Sequence, residues 1–193
     1  MAFQLIVIGT SFGGLHALQI LLPGLPKSFP VPIAIVQHRH KTSDDSLSSL
    51  LQHYSNLIVK EVQDKEEIVP GCVYLAPADY HLLVETKDET ALYSYFALST
   101  DPPVTYARPS IDVLFETTAD AYADKAIAVI LTGANHDGAQ GLARIKARGG
   151  KTVVEEPSTA TCATMPKAAI ATGAVDKILH LQEIAPFLVK VCS

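Results

Sequence analysis

The feature that most limits the fold is a set of apolar runs without polar alternation: FQLIVIG from Phe3, PIAIVQH from Pro32, IAVILTG from Ile127 and KTVVE from Lys151. Strands that are half-exposed alternate apolar with polar residues, whereas continuous apolar runs are buried on both faces, as in a parallel sheet covered by helices. Parallel neighbours need crossover connections, and helical patterns lie between these runs. Leu15, Leu18, Leu21 and Leu22 make one helix face. Ser43 reads as an N-cap with Asp44 and Asp45 in the first turn, ahead of a stripe of Leu47, Leu50, Leu51 and Tyr54. LARIKARGG from Leu142 closes on glycine, as helices commonly do. GAVDKIL from Gly173 reads as a further strand, and QEIAPFLVKV as a last helix with Pro186 in its first turn. From about Pro70 to Leu98 the rhythm changes. GCVYLAPADYHLLVE and TALYSYFAL read as an antiparallel hairpin attached to the main sheet. The expected fold is α/β: one domain over residues 1–193, a doubly wound, mostly parallel sheet flanked by helices, with an antiparallel hairpin.

Composition narrows the function. A formal net charge of −5, with Lys and Arg scattered, gives no electrostatic footprint for nucleic acid. Cys72, Cys162 and Cys192 are odd in number and far apart, which fits neither a disulfide framework nor a metal clamp and points to a reduced, cytoplasmic setting. The N-terminus lacks the charged region of a signal peptide, and no apolar run is long enough to cross a bilayer.

The turn after the first strand, VIGTSFGG, carries the chemistry. A dinucleotide-binding turn needs glycine where this chain has Ser11, and an acidic residue after the next strand where it has Gln37 and His38. No Gly-Lys-Ser/Thr follows, so a phosphate-binding P-loop is excluded too. No cofactor is therefore expected. Gly9-Thr10-Ser11-Phe12-Gly13 instead fits G-x-S-x-G between a strand and a helix, the setting of a nucleophile elbow. An ordinary glycine-rich strand-to-helix turn would look the same.

A serine hydroxyl needs a base to take its proton and an acid to orient that base. In a doubly wound sheet both belong at the carboxyl ends of neighbouring strands. His38 follows the second strand and Asp137 follows IAVILTG, so three loops on one edge offer serine, histidine and aspartate. Their order along the chain differs from the Ser, Asp, His order of α/β-hydrolases. His40 falls on the adjoining loop, His53 and His180 read as surface or helix residues, His81 sits in the hairpin, and His136 neighbours Asp137. No ligand spacing for metal stands out, the His38–His40 pair being the nearest approach.

These segments in this order resemble the catalytic domain of CheB-type protein-glutamate methylesterases, over essentially the whole chain. VIGTSFGG is similar to that family's serine turn, IVQH to its histidine strand, and GCVYLAPADYHLLV to its hairpin; RPSIDVLF, AVILTGANHDGAQGL, MPKAAI and GAVDKIL follow in the family's order. The resemblance implies Ser11 as nucleophile, His38 as general base and acid, and Asp137 as the group that orients His38. It points to the backbone near Ala134 as an oxyanion donor and to Met165 at the pocket border, while Phe12 and Gly13, at the start of the following helix, are further oxyanion or substrate-loop candidates. Arg108 reads as a contact to an acidic receptor surface or a substrate carbonyl. Arg108 has a second reading as an anchor for the loop before a helix capped by Ser110. The implied reaction is hydrolysis of glutamate γ-methyl esters, and deamidation of glutamine, on methylated chemoreceptor-like proteins through an acyl-enzyme.

Several positions depart from the family's usual pattern. The receiver domain is absent from this sequence, so control by a receiver domain on a separate chain is the expectation. RHKTSDD stands after His38 where a Met-Pro pair is usual, Asn135 stands two places before the acid where glycine is usual, and Phe12 and Thr164 also differ. These changes define the alternative: a CheB-like regulatory module with altered or vestigial catalysis and another partner.

Overall fold

The computed structural model describes residues 3–43, 46–86 and 94–193. Strand β1 (Leu5–Thr10) leads into helix α1 (Gly14–Leu21), then β2 (Ile33–Gln37), α2 (Ser46–Gln52), β3 (Ile58–Glu61) and β4 (Cys72–Leu75). A two-stranded antiparallel sheet, β5 (His81–Thr86) and β6 (Ser94–Ser99), comes next. Then follow α3 (Ile111–Tyr122), β7 (Ala126–Ile130), α4 (Ala139–Ala147), β8 (Lys151–Glu155), α5 (Thr164–Ala171), β9 (Lys177–Leu179) and α6 (Leu181–Cys192).

Seven strands form one parallel sheet in the order β3-β4-β2-β1-β7-β8-β9. The central strand β1 is buried along its whole length, and its alternate side chains feed two cores. Leu5 and Val7 point into one with Leu114, Phe115 and Leu142, while Ile6 and Ile8 point into the other with Leu18, Ile184 and Leu188. The chain leaves β1 on one side for β2 and returns on the other side at β7. That reversal opens a crevice at the carboxyl ends of β1, β2 and β7, where such sheets hold their sites.

The structure revises several expectations. Cys72–Leu75 is not part of the hairpin; its four residues are buried and pair in parallel with β2 and β3. The hairpin is a separate sheet that lies against α3, with Leu82, Val84 and Phe96 in the core beside Phe115. Strand β3 has no apolar signature because it is an edge strand: only Val59 is buried, and Ile58 is 61% exposed. Pro186 is in the second turn of α6, not the first, because the helix begins at Leu181 and the His180 N–H already donates to the Glu183 carboxylate at 3.1 Å. Met165 lies in helix α5. Leu15, Leu50 and Tyr54 stand at the surface rather than in the core, leaving Leu18, Leu21 and Leu51 to bury their helices. The reading of Asp44 and Asp45 in the first turn of α2, and of Thr90–Tyr93 within the hairpin, lies outside the described residues.

Candidate active site

The serine turn is held from below by the loop that follows β7. Thr132 O accepts from the Ser11 N–H at 2.9 Å and from the Thr10 hydroxyl at 2.9 Å, and the Thr132 hydroxyl donates to Phe12 O. Two glycines are needed to make the bend. Gly13 has φ of +84°, and a Cβ there would lie 2.5 Å from Thr161. At Gly14 a Cβ would lie 2.1 Å from Gln37 Oε1 and 2.4 Å from Thr10 Oγ1. This close approach lets the Gln37 amide donate to Ser11 O at 3.0 Å and to His38 O at 2.8 Å. Gln37 thereby links the serine turn to the end of β2. It had registered in the sequence only as a residue unsuited to binding a ribose.

His38 extends the β1–β2 ladder through its N–H to Thr10 O at 3.0 Å, which fixes where its ring starts. Its Nε2 lies 2.8 Å from Asp137 Oδ2. Asp137 is fully buried and also takes donors from the start of α3: the Ser110 hydroxyl at 2.9 Å, the Ile111 N–H at 2.7 Å and the Asp112 N–H at 3.0 Å. Burial opposes the charge on Asp137, but the hydrogen bond from His38 and the backbone N–H groups of Ile111 and Asp112 outweigh it and hold the carboxyl below its ordinary range. An ionised carboxylate can only accept, so Nε2 carries the hydrogen and Nδ1 presents its lone pair.

That lone pair meets Asn135. The Asn135 side-chain nitrogen lies 3.2 Å from His38 Nδ1, while its oxygen accepts the Asp137 N–H at 3.1 Å. No local pattern announces this contact, which spans 97 residues.

Asp112, one turn into α3, is also buried, and its carboxylate accepts the Gly141 N–H at 2.7 Å. Burial, only partly offset by that bond and reinforced by the nearby charge of Asp137, pushes its pKa up to about 6. Glu155, buried at the end of β8, accepts the Thr132 N–H at 2.8 Å and is likewise raised by burial.

Ser11, His38 and Asn135 line one cavity of about 460 Å³, with Arg39, Tyr106 and Arg108 on its walls. Among the described residues no hydrogen bond engages the N–H groups of Phe12, Gly13 or Ala134, and these three residues are not among those lining the cavity. The Phe12 ring is 64% exposed at the turn. Arg108 is placed as an anchor: it grips Asp79 Oδ1 at 2.6 and 3.1 Å and the carbonyls of Thr100 and Asp101 at 2.8 and 3.1 Å. Met165 lies beneath the site rather than in it. Its N–H is given to Gly133 O, and its thioether fills the space a Cβ at Gly133 would need.

The other histidines take structural places. Buried His81 accepts the Ser110 N–H on Nδ1 at 3.2 Å and donates from Nε2 to Pro102 O at 3.1 Å. His40 pairs with the Thr42 hydroxyl on the cavity rim, and His53 bonds Ser49 O. Among the described residues no three His, Cys, Asp or Glu side chains are grouped to hold a metal ion, and no helix is long and apolar enough to cross a membrane.

Residues 6–188 match the family model described as CheB methylesterase. A protein of Leptospira interrogans is 49% identical over 191 residues, covering 99% of this chain and 96% of its own length; its description as a protein-glutamate methylesterase/protein-glutamine glutaminase is provisional. The protein-glutamate methylesterase/protein-glutamine glutaminase of Thermotoga maritima is 37% identical over 97% of this chain, which spans 54% of that longer protein. The crystal structure of the Thermotoga maritima CheB methylesterase catalytic domain superposes with a TM-score of 0.93, covering 98% of this chain and 99% of that one.

Proposed function

The chain belongs to the CheB methylesterase family, and from that premise we propose that it hydrolyses glutamate γ-methyl esters on chemoreceptor-like proteins through an acyl-enzyme on Ser11. The observation that carries this reading is the 2.8 Å hydrogen bond from His38 Nε2 to Asp137, with the other ring nitrogen facing Asn135, which lines the same cavity as Ser11 and His38. In the first half-reaction Ser11 Oγ attacks the ester carbonyl as its proton passes to His38 Nδ1. The carbonyl oxygen becomes an oxyanion, received by an N–H group of Phe12, Gly13 or Ala134. Collapse breaks the C–O bond, and the imidazolium returns the proton to the departing methoxide, which leaves as methanol. Water then repeats the sequence against the acyl-enzyme and yields glutamate and free Ser11. A glutamine side chain would follow the same path with ammonia as leaving group.

Asp137 does not exchange protons in this scheme. Its four donors keep it charged, so it stabilises the imidazolium and fixes the ring plane. Control by a receiver domain on another chain, and work on the cytoplasmic part of a receptor, complete the reading. The test is methanol release from methylated receptor. Wild-type protein releases it and Ser11→Ala does not; release by Ser11→Ala at the wild-type rate would overturn the mechanism.

A further inference from the structure

Asn135 takes no part in the acyl-transfer steps, yet its side chain touches both halves of the His–Asp pair. Its oxygen is committed to the Asp137 N–H at 3.1 Å, which settles the direction of the amide. The amide nitrogen therefore faces His38 Nδ1 at 3.2 Å, and an amide nitrogen can only donate. Nδ1 must then accept, and the single ring hydrogen must sit on Nε2, where Asp137 Oδ2 receives it. Five groups thus form one closed circuit: Asp137 N–H, Asn135 oxygen, Asn135 nitrogen, the imidazole and the Asp137 carboxylate.

We propose that Asn135 is a positioning residue that fixes His38 in the neutral Nε2–H tautomer and holds the Nδ1 lone pair until Ser11 delivers its proton. The inference rests on Ser11 and His38 acting as proposed above. It has a chemical consequence in each direction. A donor on Nδ1 favours the neutral ring, the form that can act as a base. The same donor opposes the imidazolium formed as Ser11 attacks, so the amide must swing off Nδ1 as the proton arrives. Asn135 lies on the loop after β7 and lines the cavity together with Ser11 and His38. The other charged and titratable groups around the ring are Asp137 behind it and Asp79, Arg39, His40, Lys41, Tyr106 and Arg108 along the cavity. These groups are common to the wild type and to both variants compared below.

The experiment is nitrogen-15 NMR of the His38 ring in the full chain, assigned with His38→Gln, alongside pH–rate profiles on an activated ester. Wild type, Asn135→Gly and Asn135→Asp are compared. Wild type should show neutral Nε2–H with Nδ1 as a hydrogen-bonded acceptor. Asn135→Gly removes the donor, so the ring should lose the acceptor signature at Nδ1 and take up its proton at a pH higher by about half a unit to one unit. Asn135→Asp sets a carboxylate against Nδ1 and should move that titration further upward, with the acid limb of the rate profile following in the same order. An Nδ1–H tautomer in the wild type would overturn the proposal even if neither variant folds. Unchanged ring signals and coincident acid limbs in both variants would overturn it as well. Absence of ester turnover by the wild type, with the ring signals as expected, would instead defeat the hydrolase reading and leave the Asn135 circuit standing.

Discussion

Asp137 holds His38 with the same carboxylate that caps helix α3. Oδ2 takes the His38 Nε2–H and the Ile111 N–H, and Oδ1 takes the Ser110 hydroxyl and the Asp112 N–H. One side chain therefore serves the proposed chemistry and the scaffold together.

Asp137→Ala should accordingly fail on both counts. It leaves two N–H groups and a hydroxyl at the start of α3 without an acceptor in a buried place, each costing about 1–3 kcal/mol. The expected loss of stability is about 3 kcal/mol or more, read as a lowered urea midpoint at unchanged slope. Turnover should fall by about ten-thousandfold, the scale seen when the orienting acid of a triad is disabled. A variant that loses activity while keeping wild-type stability would show that the capping contacts carry little weight.

Ser11→Ala should separate the two. Ser11's contacts within the serine turn are made by its backbone: the N–H to Thr132 O, and the carbonyl from the Gln37 amide and the Gly14 N–H. Alanine keeps all three. Stability should stay within about 0.5 kcal/mol of wild type, whereas turnover should fall by more than about a thousandfold. Paired thermal melts and methanol-release assays check this.

Gln37→Leu should lower kcat without abolishing it. The substitution removes the two hydrogen bonds that fasten the serine turn to the end of β2, so Ser11 and His38 are held less firmly in register. A fall of about tenfold in kcat, with a smaller change in KM, is expected. A wild-type kcat would mean that the Thr132 contacts alone fix the turn.

Asp112 makes stability depend on pH. Its folded pKa of about 6 stands above its ordinary value of 3.8, so the folded state holds this proton more tightly than the unfolded chain does. The resulting stabilisation is fully present below about pH 4 and is lost as pH rises through about 6. Glu155, raised by burial, acts in the same direction. Asp137 acts oppositely: its lowered pKa stabilises the fold above its ordinary value of 3.8, and that contribution disappears in stronger acid. Urea unfolding should therefore show greater stability at pH 5 than at pH 7, and a decline below about pH 4. Asp112→Asn should flatten the upper limb, because asparagine can accept the Gly141 N–H without ionising.

Much of this was legible in the sequence, for identifiable reasons. Strands β1, β2, β7 and β8 are buried on both faces, so their residues are apolar in continuous runs. The serine turn has a local geometric requirement for small residues, and Ser110 does cap α3, accepting the Val113 N–H. What escaped reading depends on distant contacts. Edge strand β3 buries too little to leave a pattern, and β4 reads as part of the hairpin because one apolar stretch runs through both. Nothing near Asn135 in the chain indicates that its amide reaches a histidine 97 residues earlier. Nor could local reading show Asp137 as a helix cap, since Ser110 already looked sufficient for that task.

The distances along the chain have a consequence for synthesis. The serine turn is braced by Thr132, a contact between residues 122 apart, and the His38–Asp137 pair joins residues 99 apart. Under the proposed mechanism, a nascent polypeptide that has not yet brought β7 alongside β1 carries its alcohol without a prepared base. Reactivity would then arrive only with the long-range closure of the sheet, leaving an incompletely made molecule chemically quiet.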